Sequence, residues 1–567
     1  MKLLEKHFDL AFTAPNGVQK LRELILTFAI QGKLVRQDPN DQPARELLKE
    51  IEAEKEKLVK EGRIKQLNPL PHIRPNEVPH SLPQGWQWIR FGEITINRDS
   101  ERIPVSKEER QKIIGEYDYY GASGVIDKVN NFLFDTDLLL IGEDGANLIN
   151  RSTPIAFIAC GKYWVNNHAH VIDAVHFDML LYLEKYINAI DLKPYVTGSA
   201  QPKMNQTKMN SIVIGLPPLA EQRRIVAKID RLMAQCDELE KLRGDRNQKR
   251  ITIHTAALNR LLTTKESNDF STAWRFITKH FGELYSVKEN VTELRKAILQ
   301  LAVMGKLVPQ DPKDEPANEL LKAIETEKQH LLEQGKIKQP KPLPDIKSED
   351  VPHTLPSGWV WVRLGNITSL QNGFAFKSTD YTPHGVKLIR NVNISHGFVD
   401  HKDIAYYPDS ERTRFEDFEL SQGDILISLD RPIISTGLKI AILGEQDVPS
   451  LLVQRVGRVR SAVLKVKPSF LFNWFNSSLF IDRIAPGRSN GVPHISTKEV
   501  EMLLFPLPPL SEQHRIVTKI DQLMVLCDYL EQQIDAATNK QNVLLNAVMA
   551  QVQRRSRTPE ISLHQPL

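Results

Sequence analysis

Residues 451–467, "LLVQRVGRVRSAVLKVK", carry five basic side chains, Arg455, Arg458, Arg460, Lys465 and Lys467, and no acid. Cations at that density can meet phosphate oxygens, and an arginine fork matches the two acceptors on the major-groove edge of guanine. A solvated strand edge explains the same run, because charged side chains guard such edges against pairing with other chains. In the first half of the chain, "VNNHAHVI" holds His168 and His170 two positions apart, as zinc ligands can be. No further cluster supplies the remaining ligands, and Cys160, Cys236 and Cys527 lie far apart without a CxxC pair, so no metal site is expected.

Other chemistry is missing. A transferase acting on a base amino group needs an Asn/Asp-Pro-Pro-aromatic segment, yet the two Pro-Pro pairs, Pro217-Pro218 and Pro508-Pro509, both follow leucines. No GxxxxGK[ST] phosphate loop occurs. "PDIK" at Pro344–Lys347 resembles a scrap of a nuclease motif, but the parallel position reads "PHIR", and both belong to a connector.

What positions the candidate residues is a repeat. Residues 18–95 align with 291–368 at a constant offset of 273 without a gap, with 45 of 78 positions identical. A second block, at offset 291, begins near Gly198 and Ser489 and contains "LPPLAEQRRIVAKID" (216–230) and "LPPLSEQHRIVTKID" (507–521). Between the blocks lie residues 96–197 and 369–488, without convincing similarity and differing in length by 18 residues. A duplicated frame around two unlike inserts does one job twice while the inserts do two related but distinct jobs.

After the second Pro-Pro pair, Ile516, Ile520, Leu523, Cys527, Leu530, Ile534, Ala537, Leu544 and Val548 recur in steps of four and three, with Gln541 in the one missing place. This is a heptad seam and predicts a coiled-coil helix, with Ser511 as its N-cap. The first copy runs through Ile225, Ile229, Leu232, Cys236 and Leu239 and then meets Arg243, Arg246 and Arg250, where its register shifts. From Ile516 to Val548 such a helix extends roughly 48 Å, against about 34–36 Å for one turn of B-DNA. The connectors 66–84 and 339–357 carry five prolines each, which predicts stiff, extended spacers. Trp86 with Trp88, and Trp359 with Trp361, sit as on one face of a strand leading into each insert, where core packing is favoured over base stacking.

Within the inserts, "NFLFDTDLLLIGEDGA", "STPIAFIAC" and "GDILISLD" read as strands, and "FDMLLYLEKYINAI" and "PSFLFNWFNSSLFIDRI" as helices, so each insert is an α+β domain. Residues 96–215 carry 12 Lys and Arg against 15 Asp and Glu, and residues 369–506 carry 16 against 15. With a whole-chain net charge of +4, any nucleic-acid contact must be local. The 567 residues exceed one compact core, and a mean hydropathy of −0.33 without a long apolar run argues against a membrane span or signal segment, so a cytoplasmic chain with reduced thiols is expected.

The twice-used "LPPLxEQxRIVxKIDxLMxxCDxLE", the "GKLVxQDP" segments and the "LPxGWxWxR" entrances resemble the specificity subunit of type I restriction-modification enzymes, in particular its larger members with an N-terminal extension. The resemblance implies two globular target-recognition domains joined by long antiparallel coiled-coil helices with an internal pseudo-two-fold repeat. It implies the following order: N-terminal helical region 1–65, connector 66–84, first recognition domain 85–216, first coiled-coil helix 217–262, central link 263–290, second helical region 291–338, connector 339–357, second recognition domain 358–507, second coiled-coil helix 508–553 and tail 554–567. The seam residues are Ile225, Ile229, Leu232, Leu239, Ile516, Ile520, Leu523, Leu530 and Ile534. "LVQRVGRVR" resembles a recurrent segment of such domains, which brings forward Gln454, Arg455, Arg458 and Arg460 as DNA contacts. "VNNHAHVI" is the possible counterpart in the first insert; Asn167, His168, Lys203 and Arg488 complete the candidates. Implied partners are double-stranded DNA, two methyltransferase subunits and motor-nuclease (restriction) subunits. S-adenosylmethionine, ATP and magnesium are expected on those partners, with no cofactor and no catalytic residue on this chain. The reading set against this is a coiled-coil adaptor without DNA specificity of its own.

Overall fold

The phrase that occurs twice folds the same way twice. A computed structural model describes residues 13–65, 68–198, 201–264, 267–335, 339, 342–461, 466–484 and 494–557, and its long helices, Leu219–Thr263 and Leu510–Arg557, start directly after the Pro-Pro pairs. Proline has no N–H and a fixed φ, which suits the residue just ahead of a helix. The carbonyls of Pro218 and Pro509 accept the N–H of Gln222 and Gln513, each at 3.0 Å, and the side chains of those glutamines donate to Pro217 and Pro508 at 2.9 and 3.1 Å. Ser511, expected as the N-cap, lies inside the first turn instead. The Pro-Gln closure is common to both copies, so Ala220 in the first copy loses no cap.

The next residue of the phrase ties three separate segments together. Buried Glu221 accepts from Gln37 Nε2 at 2.8 Å and from Trp86 Nε1 at 2.9 Å, and Glu512 accepts from Gln310 Nε2 at 2.6 Å and Trp359 Nε1 at 2.9 Å. Three residues later, Arg224 grips Asp41 and Arg515 grips Asp314, both through two bonds of 3.1 and 2.5 Å. Burial pushes the Glu221 and Glu512 carboxyls upward, while the hydrogen bonds from glutamine and tryptophan work the other way and hold the charged form. Trp86 and Trp359 are therefore core residues with a satisfied indole N–H.

The chain divides into two units, residues 1–246 with 536–567, and residues 247–535. In the first, strand Gln87–Arg90 enters the domain and pairs antiparallel with Val213–Leu216, which leaves it. Between them, two four-stranded sheets form. One has the order Ile96–Asn97, Ala169–Asp173, Leu138–Gly142, Ala156–Ala159, and the other Gly124–Val129, Ile114–Gly121, Lys162–Val165, Phe134–Asp135. Helix Phe177–Ala189 buries Met179, Leu180, Leu183 and Ile187 in the core that also holds Leu139 and Ile141. Arg22 on helix Gly17–Ile30 bridges Asp237 (2.6 Å) and Glu240 (2.9 Å) of the first long helix, and Leu24 packs with Leu545, Val548 and Met549 of the last.

The second unit repeats this plan with a different interior. Val360–Arg363 pairs with Leu504–Leu507 at the base. A five-stranded sheet runs Thr368–Asn372, Val456–Ser461, Ile425–Ser428, Ile440–Ile442, His396–Gly397, beside a four-stranded sheet ordered Ala405–Tyr407, Val386–Ile389, Ser450–Leu452, Glu419–Leu420. Arg295 on helix Lys288–Val303 bridges Asp528 (2.6 Å) and Glu531 (3.5 Å), the twin of the Arg22 contact, and buried Leu258 and Leu261 share the core with Ile298 and Leu301. The "CDxLE" part of the phrase thus docks the repeated short helix in each unit.

Four further expectations change. Residues 263–290 are not a bare link: Ser267–Lys279 and Phe281–Leu284 are helical, burying Ala273, Ile277 and Leu284, and Lys279-His280-Phe281 repeats Lys6-His7-Phe8 at the same offset of 273. The described connector residues are extended apart from short turns at Pro75–Glu77 and Ser348–Asp350, and they are anchored as well as stiff, because Arg90 binds the carbonyls of Pro71 and His72 and the carboxylate of Glu77, and Arg363 binds the carbonyls of Pro344 and Asp345 and the carboxylate of Asp350. The last helix continues to Arg557, into the segment read as tail. Its seam departs from the strict heptad after Ile534, since Ala537 is exposed and Leu545, rather than Leu544, is buried.

Glu512→Ala leaves two buried N–H donors unpaired, at about 1–3 kcal/mol each. Its thermal unfolding midpoint should fall by several degrees, and the loss should be smaller in Glu512→Gln, which keeps one acceptor; an unchanged midpoint for Glu512→Ala would contradict the junction.

Candidate nucleic-acid interface

The two inserts, unlike in sequence, build the same corner. In the first domain Leu138–Gly142 pairs with Ala169–Asp173, with Gly142 opposite Ala169; in the second Ile425–Ser428 pairs with Val456–Ser461, with Ser428 opposite Val456. One residue beyond each pair, Glu143 N–H donates to His168 O at 2.8 Å and Leu429 N–H to Arg455 O at 2.9 Å. A third segment then closes over the corner. Met204 N–H reaches Glu143 O at 2.8 Å and Ile495 N–H reaches Leu429 O at 3.0 Å, with bridges Asp144–Lys203 and Asp430–His494 alongside. Read through this hydrogen-bond register, Asn167 corresponds to Gln454, His168 to Arg455, Lys203 to His494 and Asp144 to Asp430.

At each corner a largely buried carboxylate lies beneath exposed basic side chains. Asp144 contacts His168 Nδ1 at 2.8 Å, and Lys203 Nζ lies 3.2 Å from the neighbouring Glu143. Asp430 takes both partners, Arg455 at 3.2 Å and His494 Nδ1 at 3.3 Å. Asn167 and Gln454 are exposed at the same turns. Arg455 has φ = +68° and Arg431, just past Asp430, φ = +51°, left-handed conformations that non-glycine residues adopt at a cost of order 1–3 kcal/mol. The first corner presents imidazole, amide and ammonium groups and the second imidazole, amide and guanidinium groups, donors that base edges and phosphates accept.

Beneath the first corner His170, one of the two zinc-like histidines, is occupied otherwise: Nδ1 meets Asp99 at 2.6 Å and Nε2 meets Met204 O at 2.8 Å. Burial opposes ionisation of Asp99, but His170, the Val171 N–H and Arg102 outweigh it and hold its pKa below the ordinary range. Arg102 completes the cluster with Glu143 at 2.9 Å. Among the described residues no group of three or more His, Cys, Asp or Glu is arranged for a metal ion.

The basic run divides at the start of strand Val456–Ser461. Arg455 points outward at the turn, whereas Arg458, only 9% exposed, donates to Glu419 O at 2.7 Å and to Gln371 Oε1, and burial together with the charge of Arg460 lowers its pKa. Arg458 is thus a structural residue of the sheet rather than a free DNA contact. Arg460 is bound to buried Asp424 through two bonds of 2.6 Å. Arg488 and Lys465 lie outside the described residues. Along the helices Ile225, Ile229, Ile516 and Ile520 are buried, and Leu232, Leu239, Leu523, Leu530 and Ile534 are partly buried on the core of their own unit. Sequence reading missed Asp144, Asp430 and His494; the signal available was Pro202-Lys203 set against Pro493-His494 at offset 291.

The model of the type I restriction modification DNA specificity domain matches twice, over residues 83–247 and 356–539. The chain belongs to that family. It is 42% identical over 553 residues to the type I restriction enzyme EcoAI specificity subunit of Escherichia coli, covering 94% of this chain and 93% of the relative, and 31% identical over 569 residues to the EcoEI specificity subunit of the same organism, with the same coverage. Among solved structures it is similar to the HsdS subunit from Thermoanaerobacter tengcongensis, at 16% identity and a TM-score of 0.37, covering 82% of this chain and 97% of that one. Both copies of the specificity domain contain an aspartate-based corner. Among the described residues no helix is long and apolar enough to cross a membrane.

Arg455→Ala should leave the unfolding midpoint nearly unchanged and weaken DNA binding. Arg458→Ala, which strips a buried donor from Glu419 O, should lower stability by about 1–3 kcal/mol. Equal effects of the two on the midpoint would contradict this division.

Proposed function

We propose that this chain is the address-reading subunit of a type I restriction-modification complex: each recognition domain reads one half of an asymmetric, bipartite duplex target whose halves are separated by a constant, unread spacer. The observation that carries this reading is the twofold match to a DNA specificity domain around inserts that share a corner but present different side chains there. One frame with two different exposed donor sets reads two different half-sites.

The chain supplies position, and its partners supply the chemistry. Two methyltransferase subunits bring S-adenosylmethionine and flip an adenine out of the duplex, and motor-nuclease subunits bring ATP and magnesium. Val525, Leu526 and Tyr529, each more than half exposed on one face of the last helix, form an apolar surface suited to a protein partner. The complex acts on DNA in the cytoplasm.

Exchanging residues 96–197 for the insert of another family member should change one half of the methylated sequence and leave the other half and the spacer intact, as read by mapping modified adenines. A change in both halves would sink the modular reading. The chain alone, given DNA, magnesium and S-adenosylmethionine, should show no turnover, and sustained methylation or cleavage would contradict the division of labour.

A further inference from the structure

Asp144 and Asp430 occupy the same place in two domains whose sequences have otherwise diverged, and Asp430 also lies within electrostatic reach of the partly buried Lys439. Each follows the central strand by two residues, each is mostly buried, with side-chain exposures of 16% and 13%, and each faces a basic side chain that is about half exposed or more: His168 at 49%, Arg455 at 68%, His494 at 68%. A surface ion pair of this kind adds little stability, because solvent screens it and holding long side chains costs entropy. Its effect is on direction. A carboxylate fixed by the strand end limits the rotamers of the side chain above it, so that side chain meets a base edge with less ordering left to do on binding.

We propose that Asp144 and Asp430 are paired positioning residues for base recognition, and that the side chains they hold, His168 in the first domain and Arg455 with His494 in the second, set the difference between the two half-sites. The inference rests on the bipartite reading above and deepens it. The Arg455 guanidinium, held at one nitrogen by Asp430, keeps its remaining donors for a guanine O6/N7 edge, so the second half-site contains a G·C pair at that point. In the first domain a single imidazole with the Asn167 amide beside it replaces the fork. Lys203, the counterpart of His494, pairs instead with Glu143, which stands where the second domain has Leu429. Different charge arrangements on one backbone corner thus give different base preferences without rebuilding the domain.

The test uses the full chain assembled with its methyltransferase subunits and a duplex library randomised across both half-sites, with sequence preference scored position by position and unfolding midpoints measured in parallel. Asp430→Asn keeps size and shape but loses the charge; it should relax preference by roughly tenfold at one or two adjoining base pairs of the second half-site, with the first half-site, the spacer and the midpoint unchanged. Arg455→Lys, which keeps charge and loses the fork, should relax the same base pairs, and the double variant should be no more relaxed than Arg455→Lys alone. Asp144→Asn should relax the first half-site only. If Asp430→Asn selects the wild-type sequence undiminished, or if it blurs both halves together, the positioning role is wrong. If the unaltered complex selects no bipartite sequence, the functional reading itself fails, and the two failures are thereby distinguished.

Discussion

Everything in each half of this protein hangs from one buried carboxylate. Glu221 and Glu512 join the start of a long helix to the loop bearing Gln37 or Gln310 and to the tryptophan that leads into a recognition domain. A buried, doubly hydrogen-bonded carboxylate tolerates little variation, because each donor it satisfies would otherwise be left without water or partner. The guanidinium pairs Arg224–Asp41 and Arg515–Asp314 lock the same junction one turn further on. These contacts explain why the phrase around "LPPLxEQ" persists in duplicate while the inserts it frames have drifted beyond recognition.

The frame was legible in sequence because its constraints are local and repeated. Pro-Pro before a helix, a heptad seam and an invariant spacing leave their mark in one dimension. The junction itself was not legible, since Gln37, Trp86 and Glu221 are 184 and 135 positions apart in the relevant pairs and nothing in composition joins them. The boundary between a turn and strand Val456–Ser461 separates the basic run in a way that a count of arginines does not reveal: Arg455 faces out at the turn, while Arg458 is spent inside the sheet. The correspondence of "VNNHAHVI" with "LVQRVGRV", offered by resemblance as a possibility, became visible as geometry only through the backbone hydrogen bonds at His168 and Arg455.

The segments whose anchoring the sequence does not announce share a cause. Residues 263–290 and the proline-rich connectors lack strong periodicity, and both are ordered by tertiary contacts: Ala273 and Ile277 in the helix core, Arg90 and Arg363 gripping connector carbonyls. Likewise the seam after Ile534 follows the surface available in its own unit, so Leu545 replaces Leu544 as the buried residue. Packing overrides a one-dimensional period where the partner surface changes.

On the proposed reading, a duplicated frame with two different corners separates stability from specificity: the frame stays fixed while the exposed side chains of Asn167, His168, Gln454 and Arg455 set the address. The most direct measurement of this account is a base-resolution map of modified adenines in a host carrying this chain with its methyltransferase. One motif made of two unlike blocks at a single fixed interval is expected. A motif that is continuous, or two blocks at variable intervals, would contradict it.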